Sequence, residues 1–492
     1  MSFRTSSFSA TRDADAAIAG IARAKAFSAN NAIVERTLFW AFIGALAWCP
    51  FWFGSHAVLA WGINAVLFPG LVAIYELSLL IGGERHPVAV WQIKVPAALF
   101  GVVVLWILIQ NATWTPAWFH HPIWQLAADA LDQPVDGSIS VDRELTKVAL
   151  LRLITTASVF WIALQLCREA SRANILLKSV AAIASAYAAY GLAAHWLWPD
   201  RILWFEDLFN HNFVHSTFIN ANSFAAYAGI GVVAFCALIL GLYRNEFASV
   251  GGSIRFRIAT FIEVTGHKGV ALLAGAFLTL VALFLSGSRG GIAATTLALL
   301  VLAALTLRLR KNQSAEQREA IIVVGVLFVA ATFLAFDDIV AGKVSQQGFR
   351  SESRMALYVI TIRSILDAPV LGYGYGTFMD VFPMFRDQSL STLTAWQMAH
   401  NSYLEVLQGL GLVFGSMLLA SVSLLVWRCI KGAATRQMNE TLPCVAASVA
   451  VLLGVHSLVD FSLQIQAITI TFMALLGAGV AQSESSRVVL AD

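Results

Sequence analysis

The chain has 492 residues, of which 58% are hydrophobic and only 12% are charged. Soluble domains average about 45–50% apolar and about 25% charged residues, so this composition excludes an ordinary soluble enzyme and indicates a membrane protein. The net charge of +3 is too small to suggest a nucleic-acid partner.

An apolar run of about 20 residues spans the hydrocarbon core of a bilayer, because an α-helix rises about 1.5 Å per residue. The sequence contains about twelve such runs. They predict an all-α, polytopic protein of the lipid bilayer with about 12 transmembrane helices. In chain order, the predicted spans are 37–54, 57–82, 94–112, 147–167, 174–197, 217–242, 269–286, 288–307, 320–336, 400–427, 441–460 and 465–483.

The distribution of Lys and Arg predicts the orientation of these spans. Short cytoplasmic loops hold the positive excess in membrane proteins, and an N-terminus placed inside puts most of the 32 lysines and arginines on the cytoplasmic side. We therefore expect a cytosolic N-terminal tail at 1–36, a transmembrane domain at 37–483 and a cytosolic C-terminal tail at 484–492. Both termini are then cytoplasmic, and the long loops open on the outer side.

Two long segments interrupt the predicted spans. Segment 113–146 contains several Trp and Pro residues and is predicted to form an outer loop, lying at the membrane interface as a lid. Segment 337–399, between the ninth and tenth spans, is predicted to be a large outer loop with a helix at 352–366, and its aromatic content indicates an ordered structure. Its glycine-rich run 372–376 follows no predicted strand, so we interpret it as a tight turn that docks the loop onto the bundle, not as a nucleotide-binding loop.

Three polar clusters fall where predicted spans begin on the outer side: His215–Phe224, Ser286–Gly291 and His400–Glu405. A helix N-terminus exposes unpaired N–H groups and about half a positive charge, which suits anions such as phosphates. Arg289 adds a guanidinium that can bind phosphate oxygens in two places. The pattern indicates an anion site at the outer face, but the sequence alone does not place the three clusters side by side.

Each candidate also has an ordinary structural explanation. Arg289 could extend its charge into water from a helix end. Asn220 and Asn222 could cap a helix, and His400 could be an interfacial histidine with a satisfied ring. Glu405, about one turn after His400, would be costly facing lipid, so we expect it to face the bundle interior or a cavity. His400 is also the best candidate for taking a proton from a hydroxyl group, because a helix N-terminus favours the neutral imidazole that this step needs.

Other charged residues keep two interpretations. Arg354 and Arg363, in the large outer loop, are cationic candidates for a diphosphate, or else solvated charges on a helix face. His456 and Asp460 are spaced i, i+4 in the eleventh predicted span, which would place them on one helical face. We interpret them as a hydrogen-bonded structural pair, with a proton relay or a substrate contact as the alternative.

Several motifs follow one another in a characteristic order. They are Phe218–Tyr227 (FINANSFAAY), Leu285–Gly291 (LSGSRGG), Ser353-Arg354, Leu371–Phe378 (LGYGYGTF), His400–Leu404 (HNSYL) with Gly409 and Gly411, and His456–Phe461 (HSLVDF). This ordered set resembles the O-antigen ligase and polymerase superfamily. The resemblance covers about residues 200–465. The first 200 or so residues resemble that family only in being helical and membranous.

The resemblance implies about twelve spans in the bacterial inner (plasma) membrane, with a large periplasmic loop between the ninth and tenth. It implies a glycan donor carried on undecaprenyl diphosphate, and an acceptor that is either lipid A-core or a growing polysaccharide. Carried over by motif, the essential residues of such ligases are Arg289, Arg354 and His400, and we expect these to be catalytic. Arg350 and Arg363 are rivals for the loop arginine. Candidates for substrate binding around them are Asn220, Asn222, Ser288, Asn401, Tyr403, Arg363 and Tyr375.

Together these residues predict a metal-independent, inverting glycosyl transfer at the periplasmic face, with no cofactor. The sequence has no H-E-x-x-H or comparable metal-ligand spacing, and the outer turn near 54–56 is too short for an acidic metal-binding pair. His400 would take the proton of the acceptor hydroxyl, which attacks the anomeric carbon. Arg289 and Arg354 would stabilise the charge of the departing undecaprenyl diphosphate.

Three other functions fit the same residues. A repeat-unit polymerase for O-antigen, exopolysaccharide or capsule would use this chemistry with another acceptor, and glycan transfer onto protein is a further enzymatic option. A transporter of a small anion would also use arginines and helix ends. Transport would need access from both faces and helices broken at mid-membrane. Here the polar clusters fall on one face, and the predicted spans look continuous apart from Pro69 in the second.

Overall fold

The described chain consists of α-helices and one small β-hairpin. A computed structural model describes residues 32–206, 212–247, 254–308, 353–390, 396–436 and 440–483. The helices, in chain order, are α1 (32–48), α2 (Val58–Gly82), α3 (Lys94–Asn111), α4 (Ile123–Leu131), α5 (Arg143–Leu166), α6 (Ala170–Leu197), α7 (Ala221–Phe247), α8 (Ile254–Leu285), α9 (Arg289–Arg308), α10 (353–367), α11 (Phe378–Phe385), α12 (Ser402–Thr435), α13 (Thr441–His456) and α14 (Gln466–Ser483). The antiparallel hairpin pairs β1 (Arg201–Ile202) with β2 (Phe205–Glu206), and single 3-10 turns cover Val90–Ile93, Ala117–Phe119 and Ser462–Gln464.

Among the described residues, eight stretches of helix are long and apolar enough to cross a membrane: Val58–Gly82, Val90–Asn111, Arg143–Leu166, Ala170–Leu197, Ala221–Leu242, Arg289–Thr306, Ser402–Thr435 and Gln466–Ser483. Two shorter apolar helical stretches are Gly269–Leu285 and Thr441–His456. This architecture confirms the predicted all-α, multi-pass membrane fold. Each predicted span except the ninth overlaps a described helix. The ninth span (320–336), most of the N-terminal tail (1–31), Arg350 and the C-terminal tail (484–492) lie outside the described residues.

The last helix, α14, is the most enclosed of the apolar spans, with 83% of its apolar window buried inside the protein. Small residues make this possible, because they let neighbouring backbones approach closely where lipid gives no hydrophobic drive for association. Gly477 lies against the backbone of Phe160 on α5, and Gly479 lies against Ala446 on α13. The bundle is therefore assembled around α14.

The first helix differs from its predicted span at both ends. Residues 32–36, which the sequence assigns to the tail, are already part of α1. α1 ends at residue 48 because the chain then turns, with left-handed backbone at Phe53, Gly54 and Ser55.

Two of the described helices are interrupted, one of them inside a predicted span, which contradicts the expectation that only Pro69 would disturb a span. Backbone angles are non-helical at Gly266 in α8 and at Gly411 in α12, whereas Pro69 is accommodated within α2. Next to Gly411, the N–H of Leu412 donates to the carbonyl of Pro369 at 2.7 Å. At the break in α12, a backbone carbonyl of the large loop therefore accepts a hydrogen bond from the helix.

The glycine-rich turn 372–376 docks the large loop onto α12, as its sequence predicts. The N–H of Tyr373 donates to Gln408 O at 3.1 Å, and the N–H of Gly374 donates to Gly409 O at 3.0 Å. These contacts join the loop to the stretch of α12 that precedes the break.

The two long loops also pack against each other. Val141, at the end of segment 113–146, donates its N–H to Tyr373 O at 2.9 Å. The same segment leaves the rings of Trp114 and Trp118 strongly exposed, which is typical of aromatic side chains at a membrane interface. In the large loop, α10 and α11 bury a small core of their own, formed by Leu357, Ile360, Phe378, Phe382, Leu390 and Ala399. The described parts of the loop are thus ordered, as predicted.

Docking of the glycine turn predicts one stability effect. Gly372 has a φ of +65°, and a Cβ there would lie 2.4 Å from Gly409 O. We expect Gly372→Ala to destabilise the protein by at least about 1 kcal/mol, because alanine fits neither the left-handed backbone nor the space. Thermal unfolding of the purified protein in detergent measures this. Gly101→Ala is the control, since a Cβ at Gly101 meets nothing within 4 Å; equal losses in both variants would contradict the docking role.

Candidate active site

His400 and Asp460 form the chemical centre of the candidate site. His400 lies two residues before α12, and its Nδ1 is 3.4 Å from Oδ1 of Asp460, a little longer than an optimal hydrogen bond. A carboxylate facing Nδ1 favours a proton on that nitrogen, which leaves Nε2 with a lone pair that can accept a proton. The rings of Phe461 and Trp396 pack edge-on against the imidazole, with centroid distances of 4.8 and 5.7 Å.

Asp460 carries a negative charge although it is only 1% exposed. Burial raises the pKa of its carboxyl, but the interaction with His400 and the electrostatic effect of His456 lower the pKa more, to a value below the ordinary one. A buried carboxylate is costly unless nearby groups compensate its charge. The two histidines therefore favour the ionised form of this carboxyl group.

This geometry corrects the predicted pairing of His456 with Asp460. α13 ends at His456, so the two residues do not share a helical face, and the chain turns through 457–460. Nδ1 of His456 lies 2.8 Å from the hydroxyl of Ser462 instead. The i, i+4 spacing fits a helix, but the spacing does not reveal that the helix stops at its first member.

The backbone of His400 is held in an uncommon conformation. Its φ is +49°, in the left-handed region that few residues other than glycine adopt. Three neighbours hold it there. The hydroxyl of Tyr358 donates to His400 O at 2.9 Å, the N–H of Ala399 donates to the Glu405 carboxylate at 3.1 Å, and Asn401 caps α12 by accepting two first-turn N–H groups at 3.0 and 3.1 Å. Such strain persists where the surroundings fix the backbone, so the direction of the imidazole is determined by these contacts.

Arg354 and the start of α9, which carries Arg289, lie next to the loop between α13 and α14 (residues 457–465), which carries Asp460. The Arg354 guanidinium, on α10, lies 3.4 Å from Val459 O. Arg289 begins α9, and a Cβ on its neighbour Gly290 would lie 3.2 Å from the side chains of both Val459 and His456. Nε of Arg289 is buried without a hydrogen-bond partner. In the part of the chain that the structure describes, neither arginine has an acidic side chain within salt-bridge distance.

Arg363 differs from Arg354 although both lie on α10. Its Nη1 is 2.8 Å from Oδ2 of Asp387, and its side chain is 60% exposed. This position favours a surface ion pair over substrate binding. Of the two arginines on α10, Arg354 is therefore the one with a charge available at the site.

The structure brings the three polar clusters to one end of the bundle, which we call the site end. The N–H of Val214, beside the first cluster, donates at 3.0 Å to Leu285 O, beside the second. The third cluster joins the α13–α14 loop, since the N–H of Ser402 donates to Ser457 O at 3.0 Å. The start of α9, which belongs to the second cluster, also packs on the α13–α14 loop. The three clusters are therefore neighbours.

Three of the predicted substrate-binding residues cap helices. The side-chain oxygen of Asn220 accepts the N–H of Asn222 at 2.8 Å at the start of α7, and the hydroxyl of Ser288 accepts the N–H of Gly291 at 3.2 Å at the start of α9. Asn401 does the same for α12. Their cap oxygens are occupied, so these residues organise the helix ends that face the site.

Two predicted residues lie beside a different space. The hydroxyl of Tyr403 donates to Gly454 O at 2.8 Å. Tyr403 and Tyr375 both line an apolar cavity next to the first turn of α12. These two tyrosines therefore border the cavity, and Ser402, which lines the same cavity, donates to Asp460 O at 3.4 Å.

Sequence reasoning missed three functional contacts: Asp460 as the partner of His400, and Tyr358 and Glu405 as supports of its backbone. The sequence indicates that Asp460 has a partner, since an ionisable residue in an apolar segment needs one. The prediction that this partner is His456, the histidine nearer in sequence, is wrong. Glu405 faces the protein, as expected, and binds the backbone immediately before His400.

Comparison with known proteins finds one family similarity, in the second half of the chain. Residues 274–420 match the family model described as O-Antigen ligase, and this segment contains Arg289, Arg354 and His400. The match confirms the resemblance to the O-antigen ligase and polymerase superfamily. No curated protein matches the chain. The protein is thus a multi-pass membrane protein in which residues 274–420 are similar to the O-antigen ligase family, and this similarity supports a glycosyltransferase-like enzyme.

Removal of the support at Tyr358 should slow glycosyl transfer without unfolding the protein. We expect Tyr358→Phe to lower kcat about 10- to 100-fold with little change in KM, because the imidazole would be less well aimed. Steady-state kinetics of the purified variant measure this. Tyr403→Phe is a matched control, since this phenol also donates to a backbone carbonyl but not to that of His400. Equal kinetic losses in both variants would argue against a specific positioning role.

Proposed function

We propose that this protein transfers a glycan from undecaprenyl diphosphate to a saccharide acceptor at the periplasmic face of the bacterial inner membrane, as an O-antigen ligase acting on lipid A-core. One observation carries the proposal. His400 faces the Asp460 carboxyl group at the loop that Arg354 contacts and on which the start of α9, with Arg289, packs; neither arginine has an acidic partner among the described residues. This combination supplies a base for a hydroxyl group and positive charge for a diphosphate.

In the proposed reaction, Nε2 of His400 takes the proton of the acceptor hydroxyl. The hydroxyl oxygen attacks the anomeric carbon of the donor sugar, and the bond from that carbon to the diphosphate oxygen breaks. The carrier diphosphate leaves with the bonding electron pair, so the anomeric configuration is inverted. Asp460 stabilises the imidazolium that forms, as the carboxylate does in other acid–base pairs of this type.

The leaving group determines the role of the arginines. Negative charge grows on the bridging oxygen as the bond to the sugar breaks, and fixed donors aimed at that oxygen lower the barrier. Arg289 and Arg354 supply such donors, and the N-terminus of α9 adds its unpaired N–H groups and dipole. No metal is part of the proposed step.

The proposed orientation rests on the distribution of positive charge. The end of the bundle opposite the site carries Arg168 after α5, Arg172 at the start of α6 and Arg436 after α12. The positive-inside rule favours placing that end in the cytoplasm, which would turn the site toward the periplasm.

A repeat-unit polymerase remains the alternative, because it would use the same groups with a growing polysaccharide as acceptor. A small-anion transporter is less favoured. The break in α12, the feature that most resembles a transport site, is filled by the backbone of the large loop through Leu412 and Pro369. Surface polysaccharide from a deletion strain distinguishes the enzymes. A ligase loses attachment to lipid A-core, whereas a polymerase loses chain length and keeps single attached units.

The proposed roles of His400 and Asp460 predict slower transfer when either residue is replaced. We expect His400→Ala to reduce the rate about 100- to 10,000-fold, because positioned proton transfer contributes that much. Asp460→Asn should lose at least about 100-fold, since the amide no longer stabilises the imidazolium. Transfer is measured with purified variants in liposomes, and the elution profile on size exclusion checks folding. Wild-type rates in a folded Asp460→Asn variant would refute the pairing.

The proposed role of the arginines predicts different effects of substitution at Arg354 and Arg363, which share α10. Arg354→Gln and Arg289→Gln should each lower kcat about 100-fold or more, because each removes a donor to the leaving group. Arg363→Gln, on the same helix as Arg354, should change the rate less than about threefold, because an exposed ion pair contributes little. A larger loss for Arg363→Gln than for Arg354→Gln would reverse the assignment.

A further inference from the structure

A cavity lies beside the first turn of α12 and next to the contacts around Asp460, because Ser402 lines it and donates to Asp460 O at 3.4 Å. It has a volume of about 600 Å³ and is lined by α3, α5, α12, α13 and α14. Most of its lining is apolar, including Phe100, Phe160, Leu418 and Phe472. On α5 the lining extends from Leu153 to Trp161, which is about 12 Å at 1.5 Å per residue. The cavity is therefore elongated along the bundle, with the dimensions of a hydrocarbon chain.

Toward the site end, Ser402, Tyr403, Tyr375 and Gln464 line the cavity. Hydroxyl groups also occur elsewhere in the lining, but those of Thr156, Ser421 and Thr469 donate to backbone carbonyls of the protein. Most of the remaining lining is aliphatic or aromatic. This division into a polar head and an apolar body matches a lipid and does not match a free sugar or a small anion.

Arg152 lies at this polar end. It is one turn before Thr156 on the same face of α5, and Thr156 lines the cavity. Its guanidinium stacks over the ring of Trp61 at 4.3 Å and donates through Nη2 to Gln464 O. Its Nε is buried with no hydrogen-bond partner. Across the described ranges, no carboxylate lies within salt-bridge distance of this arginine.

The surroundings of Arg152 do not compensate its charge directly. Glu405 interacts with it only beyond salt-bridge distance, and the Glu405 carboxylate accepts the N–H of Ala399. Burial and the nearby Arg152 lower the pKa of His56 to about 4, so His56 is uncharged at neutral pH. A buried cation without an ion-pair partner is costly, and an anionic group bound there would offset the cost.

We propose that this cavity binds the hydrocarbon chain of a lipid whose phosphate headgroup is bound by Arg152. The positive charge of Arg152 favours a phosphate headgroup, and the elongated apolar lining favours a hydrocarbon chain. The headgroup would lie close to the reaction centre, because the side chain of Gln464 accepts a hydrogen bond from Ser402 at 2.9 Å, two residues after His400. Three sources share this chemistry: a phospholipid, a phosphorylated acylated glycolipid such as lipid A, and a polyprenyl phosphate.

Lipid binding to the delipidated, full-length protein tests the proposal without any glycosyl transfer. The probes are phosphatidylglycerol, lipid A and undecaprenyl phosphate, with uncharged diacylglycerol as the headgroup control, and native mass spectrometry in detergent gives the bound fractions. We expect at least one phosphate lipid to bind about 10-fold more tightly than diacylglycerol, and Arg152→Gln to abolish that preference. The lipid with the largest Arg152-dependent preference identifies the source.

Two further variants keep the test decisive. Ala157→Phe places a ring in the cavity while Arg152 remains, and should weaken binding of the phosphate lipids and diacylglycerol alike. Arg143→Gln is the matched control, because this guanidinium also stacks on a tryptophan, Trp124 at 5.0 Å, but does not adjoin the cavity; it should bind as wild type does. Unchanged binding of every phosphate lipid in either Arg152→Gln or Ala157→Phe overturns the proposal. Because transfer is not measured, the failure of this site and the failure of the proposed enzymatic function remain distinguishable.

Discussion

A carboxylate inside a membrane protein must be compensated, and much of the site's arrangement depends on how Asp460 meets that requirement. Water is not available to solvate it, so its charge has to be shared with nearby donors or cations. The imidazoles of His400 and His456 perform this task, and each belongs to a different segment. One buried charge thus ties the start of α12 to the end of α13 and fixes where the reactive ring lies.

The same constraint explains why hydropathy predicts the fold well and the site less well. Backbone N–H and C=O groups in lipid must be satisfied within each segment, so long apolar runs become helices whatever their side chains. For this reason each predicted span except 320–336, which is not described, overlaps a helix. The glycine turn at 372–376 was also predictable, since close approach of two backbones requires residues without a Cβ.

Contacts between residues of distant segments could not be predicted from the sequence. The partner of Asp460 is His400, 60 residues earlier in the chain, whereas its spacing suggests His456. The break at Gly411 has its cause in the loop backbone around Pro369, which no local pattern reveals. Likewise, helix capping by Asn220, Ser288 and Asn401 and anion binding at a helix start use the same residue types, so sequence alone leaves these roles unresolved.

The interruption of α12 has a mechanical consequence. The stretch Ser402–Leu410 follows His400 directly and is hydrogen-bonded to the large loop at Gln408 and Gly409, while the remainder of the helix packs within the bundle. The position of His400 therefore depends on the large loop as much as on the transmembrane helices. A rigid, uninterrupted helix would hold the imidazole independently of the loop; here, any shift of the loop would be transmitted to the imidazole through a few backbone hydrogen bonds.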